Sequence, residues 1–171
     1  MAIDPQTAAL CDQASNFWLM KTEPTECSID DAFAAPNHAV SWFGIRNYQA
    51  RNFIRDKMKV GDAVLFYHSS CPQPGIVGVA RISSEPYPDT CQFDEKSEYF
   101  DPKSKPESPR WIAIDVEALV KFPVISVGEL REHPELADML VLRRGNRLSI
   151  TPVEKKDFLF IIEHLAQNPL S

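Results

Sequence analysis

Five short strand-like runs, unevenly spaced, limit what this chain can become. They are FWLM (17–20), AVLFY (63–67), GIVGVARI (75–82), RWIAIDVEALV (110–120) and RLSI (147–150). A parallel α/β sheet needs strand–helix–strand units that recur at roughly 30 residues, and none recurs here. Neither GxGxxG nor GxxxxGK[ST] occurs, so the nucleotide-binding α/β folds are excluded. What remains is α+β: a mostly antiparallel sheet, curled toward a barrel, with helices packed on it.

Capping signals place the helices. Ser28 and Asp31 open a short one, and Ser126 with Glu129 opens another. From Asn47 onward, Ala50, Phe53, Ile54 and Met58 fall at helical spacing. Thr151-Pro152-Val153-Glu154 reads as the start of a final helix whose apolar face is Phe158, Ile161, Ile162 and Leu165. Residues 83–109 hold five prolines and form a long excursion. Residues 1–15 are small and polar, and are expected to be a flexible tail ahead of one domain at 16–171.

Cys11, Cys27, Cys71 and Cys91 lie 16, 44 and 20 residues apart, with no CxxC pair. Neither a metal nor a cofactor is expected from that spacing. No apolar run approaches ~18 residues, and the start lacks a basic region followed by an apolar one, so the cytoplasm is the expected location. The net charge of −6 argues against non-specific coating of nucleic acid. It leaves room for a local basic site. Residues 46–59 carry five bases against Asp56 alone, and Arg143, Arg144 and Arg147 form a second basic knot.

The densest chemistry lies in three segments: Trp18 to Pro24, Trp42 to Asn52, and Phe66 to Ser69. Rings alternate there with amides, hydroxyls and charges. Rings stack on bases, amides and hydroxyls read base edges, and Arg/Lys groups hold phosphates. Each residue also has a plainer reading. Trp18 and Trp42 serve equally as core residues, Asn47 as a helix cap, Arg51 and Arg55 as a solvated helix face, and His68 as a surface histidine.

The segments FWLMKTEP, WFGIRNYQARNFIRDKMKVGD, VLFYHS, GIVGVARI, EPYPDTCQFD, PRWIAIDV and RLSITPV, in that order, resemble the EVE-domain family from about residue 16 to 166. The resemblance implies a PUA-like curled β-barrel with flanking helices, related to YTH and ASCH domains. It implies a non-catalytic module that binds RNA or DNA carrying a modified base; separately, the chain is expected to be a monomer. Base flipping would deliver that base to an aromatic pocket. Carried over segment by segment, the pocket is Trp18, Lys21, Thr22 and Glu23, then Trp42, Ile45, Arg46 and Asn47, then Tyr67, His68 and Ser69. Arg51, Arg55 and Arg147 are the expected phosphate contacts. Gln92, Phe93, Asp94 and Ser149 are weaker members. Trp42, two residues before Gly44, is the expected stacking ring.

Two other functions stay open. One is a small enzyme acting on a nucleotide or modified nucleoside, with Glu23 and His68 as acid and base. The other is a protein-interaction module that uses the acidic excursion.

Overall fold

The computed structural model describes residues 4–166. Its centre is a mixed sheet of seven strands: β1 (Phe17–Thr22), β2 (Ala39–Trp42), β3 (Ala63–His68), β4 (Gly75–Ile82), β5 (Tyr87–Pro88), β6 (Ile112–Ser126) and β7 (Ile150–Pro152). The spatial order is β2-β6-β4-β3-β1-β7, with β5 paired to the start of β6. All ladders are antiparallel except β1 with β3.

Among the described residues, five α-helices flank the sheet: α1 (Pro5–Gln13), α2 (Ile29–Ala34), α3 (Tyr48–Asp56), α4 (Val127–Arg131) and α5 (Lys155–Phe160). The sheet divides the core in two. Along β1, Phe17 and Leu19 join Leu10, Leu65, Phe158 and Ile161 on one face. Trp18 and Met20 join Ile54, Phe66, Ile114 and Ile150 on the other. FWLM is therefore apolar throughout because both of its faces are covered.

The sheet bends but does not close. No ladder joins β2 to β7 among the described residues, so the expected barrel is open. The bend is built between β4 and β6, whose register shifts near Gly78 and again at Val79/Ala80. A Cβ on Gly78 would lie 2.2 Å from the Val120 carbonyl oxygen, so only glycine lets the strands approach so closely.

Three further expectations need correction. Residues 5–13 form α1 rather than a loose tail. Asp4 caps its Thr7 amide at 3.0 Å, Pro5 sits in its first turn, and Leu10 and Cys11 enter the core. The last helix begins at Lys155 rather than after Thr151, because Thr151 pairs with Leu19 in β7. The strand read at 147–150 lies instead at 150–152. The caps at Ser28, Asn47 and Ser126 stand as read, each accepting a first-turn amide.

Candidate functional site

A cleft of about 720 Å³ opens at one end of the sheet. Its position follows from the topology. Because β1 and β3 are parallel, their carboxyl ends lie side by side, and the Ser69 amide donates to the Thr22 carbonyl at 2.9 Å. The turn after β1 thus brings Lys21, Thr22 and Glu23 beside Ser69 and Ser70. The Lys21 amide donates to the Ser149 carbonyl at 2.8 Å, which adds Ser149 and Arg147. From the opposite edge of the sheet, the end of β2 adds Ser41 and Trp42, followed by Phe43, Gly44 and Ile45. Both edges of the unclosed sheet therefore contribute to the same opening.

The excursion closes one side through Tyr99. Arg46 donates to the Tyr99 carbonyl from Nε at 3.0 Å and from Nη2 at 2.7 Å. Its Nη1 pairs with buried Asp89 at 3.0 Å. The Tyr99 hydroxyl donates to Glu26 Oε1 at 2.6 Å. Burial pushes this phenol above its ordinary range, and the Glu26 carboxylate adds to the effect. Its ring lies over Gly44, where a Cβ would come within 2.7 Å of it, and Gly44 has φ of +79°. Glycine is required there on both counts. The Tyr99 ring, rather than a ligand, occupies the space beside that backbone.

Lys21, Thr22, Glu23, Trp42, Ile45, Ser69 and Arg147 thus meet at the cleft, with Ser149. Burial holds the Lys21 ammonium below its usual range. Trp42 is only 5% exposed and meets Phe66 edge-on at 5.2 Å. Its neighbour Phe43 is 40% exposed. Sequence reasoning missed Phe43, Tyr99, Glu26 and Glu98 as lining residues. Phe43 lies inside the quoted WFGIRN segment and its exposure has no local signature. Tyr99 and Glu98 sit in an excursion without periodicity.

The remaining candidates lie outside the lining. Trp18 packs on Phe53, and its indole donates to buried Asp62 at 2.9 Å. Asn47 caps α3 by accepting from the Ala50 amide. Arg46 holds the excursion as described. Tyr67 belongs to the other core face. Arg51 donates to Asn52 and to the Arg110 carbonyl. Arg55 pairs with its neighbour Asp56. Buried Gln92 holds the base of the excursion, donating to the Asp89 and Trp111 carbonyls. Neither Phe93 nor Asp94 reaches the cleft. All four cysteines are free thiols.

His68 has a structural task. Its Nε2 accepts from the Ile29 amide at 3.1 Å, at the start of α2. Burial holds the imidazole below its ordinary 6.5; Asp30 and Asp31 oppose that shift and Lys121 reinforces it. Protonation would turn the acceptor into a second donor. A depressed folded-state pKa means that this contact is intact above about pH 6.5 and is lost as pH falls through the lower folded value. His68→Ala is expected to lower the thermal midpoint at pH 7.5 through an unpaired amide, at a cost of about 1 kcal/mol. The gap to wild type should narrow at pH 5. A constant gap across that range would show that the histidine's protonation is not linked to folding.

A bent mixed sheet with a polar, aromatic-edged cleft at its parallel pair defines a small α+β domain with a preformed ligand-sized recess. The chain belongs to the EVE domain family, whose pattern matches residues 16–164. Thymocyte nuclear protein 1 of Danio rerio is 40% identical over 179 residues, covering 94% of this chain and 76% of that protein. The Homo sapiens protein of the same name is 37% identical, covering 91% and 76%. Among solved structures, human THYN1 in complex with DNA containing 5-methylcytosine aligns with TM-score 0.84 at 37% identity, over 90% of this chain and 99% of that one. A protein from Pseudomonas putida aligns with TM-score 0.81 at 43% identity, over 86% and 97%. The vertebrate relatives are named nuclear, where sequence reading expects the cytoplasm. No described helix is long and apolar enough to cross a membrane.

Proposed function

We propose that this chain is a binding module that takes one modified base of DNA into the cleft. The observation that carries the reading is its likeness to human THYN1, solved with 5-methylcytosine-containing DNA, across nearly the whole of both chains. The cleft supports it on three physical grounds. Its volume lies within the range of small-molecule sites, about 300–1,000 Å³. Its lining combines exposed Phe43 and the wall of Trp42 with the hydroxyls of Thr22, Ser41, Ser69 and Ser149, which suit a base edge. Three carboxylates, Glu23, Glu26 and Glu98, stand against two cations, Lys21 and Arg147. That balance favours a neutral base inside and leaves the phosphates at the rim.

A paired base must leave its stack to enter, at a cost of a few kcal/mol. Stacking at about 1–3 kcal/mol per base, with edge hydrogen bonds, offsets this. One methyl against an apolar wall discriminates by about 10- to 200-fold. Titration of matched oligonucleotides carrying 5-methylcytosine, cytosine or thymine is therefore expected to favour 5-methylcytosine by about that factor over cytosine. Equal affinity for all three would overturn the reading. Chemical conversion of the bound base would replace it with the enzyme reading that involves Glu23.

A further inference from the structure

We propose that the loop ahead of β7, carrying Arg143, Arg144 and Arg147, is the track on which the phosphate backbone of the bound strand runs. The proposal rests on the base-binding reading and moves the phosphate contacts away from α3. The first ground is the availability of charge. Among the described residues, the guanidinium groups of Arg143, Arg144 and Arg147 make no hydrogen bond or ion pair, and all three are exposed. The other six arginines each contact a carboxylate or a carbonyl: Arg46 with Asp89, Arg51 with the Arg110 carbonyl, Arg55 with Asp56, Arg81 with Glu117, Arg110 with Asp101, and Arg131 with the Leu142 carbonyl. The helix that looks most basic in sequence has thus committed Arg51 and Arg55 locally.

The second ground is presentation. Asn146 donates to the Leu140 carbonyl at 2.6 Å and accepts from the Leu148 amide at 2.9 Å, bracing both ends of the turn. Gly145, with φ of +81°, makes the reversal between Arg144 and Arg147. The third ground is continuity. Arg147 lines the cleft, and Ser149 ties the same loop to β1. A strand with one base in the cleft therefore has its flanking phosphates beside a segment, 140–149, that holds three cations and no acid in a chain of net charge −6. Single-stranded sites combine a ring platform with a basic track in this way.

The test is a salt titration between about 50 and 200 mM with R143Q/R144Q, on oligonucleotides carrying 5-methylcytosine or cytosine. Arg147 is left in place because it lines the cleft. Each lost phosphate contact flattens the log–log salt slope by about 0.7–0.9, so the double variant is expected to lose about 1.5 units. Both oligonucleotides should weaken by the same factor, so their affinity ratio stays at the wild-type value. R143K/R144K retains both charges and should keep the wild-type slope, while R55Q should leave it unchanged. An R143Q/R144Q protein with the wild-type slope, a loss confined to the modified oligonucleotide, or a flattened slope in R55Q would overturn the assignment. If the wild-type chain binds neither oligonucleotide, it is the base-binding reading that fails.

Discussion

Trp42→Ala is expected to unfold well before wild type and to bind its oligonucleotide more weakly, while Phe43→Ala is expected to lose binding with little loss of stability. The two residues are adjacent and both line the cleft, but they differ in burial. Trp42 is packed edge-on against Phe66 inside the core face that also holds Ile45, Ile54 and Ile114. Truncating a buried tryptophan costs about 3–5 kcal/mol. An expected stacking ring would be partly open to water and cheap to remove, and the burial of Trp42 overturns that. Phe43, at 40% exposure, has among the described residues only the Tyr99 ring, edge-on at 5.9 Å, as an aromatic neighbour. Its removal should cost the fold about 0.5 kcal/mol, as for an exposed substitution. Its loss from a stacked base should cost about 1–3 kcal/mol of binding. Denaturant melts and anisotropy titrations on both variants separate these contributions. If Phe43→Ala binds normally while Trp42→Phe loses affinity at unchanged stability, stacking belongs to Trp42 after all.

What the sequence discloses is what is encoded locally. A serine or asparagine ahead of an apolar period announces a helix start, and Ser28, Asn47 and Ser126 all cap as their spacing requires. The apolar runs of β1, β3 and β4 are likewise visible, because coverage on both faces leaves little polar interruption, and β6 is visible from its alternation through Asp115 and Glu117. The parallel pairing of β1 with β3 has no local signature. It is decided by which faces must be covered, and it is what brings the KTEP and HSS segments to one mouth. Arg51 and Arg55 illustrate the converse. Their i, i+4 spacing suggests a free basic stripe, yet Asn52 and Asp56, each one residue away, take up both guanidinium groups. The Asp4-Pro5 pair is a helix-start signal, and the surrounding small polar residues obscure it.

Asp89→Ala is expected to have an effect comparable to that of Trp42→Ala, for a different reason. The Asp89 carboxylate is 1% exposed and ties the segment 44–46 to its own turn at 89–91. It accepts from the Gly44 amide at 2.8 Å, from Arg46 Nη1 at 3.0 Å and from the Cys91 amide at 2.8 Å. Removing it leaves two amides unpaired and Arg46 without its counter-charge. Loss of one partner from a buried pair costs about 3–5 kcal/mol. The damage should extend beyond stability, because Arg46 also grips the Tyr99 carbonyl. With Arg46 released, the excursion loses its hold on the cleft, and residues 94–109 should become susceptible to limited proteolysis while the sheet remains intact. Asp89→Asn retains one acceptor oxygen and should recover part of the stability but not the ion pair. The observation that would count against this account is an Asp89→Ala protein destabilised as expected, whose excursion is nevertheless as resistant to protease as wild type. In that case Gln92, which donates to the Trp111 carbonyl and accepts from its amide, holds the excursion without help from Arg46.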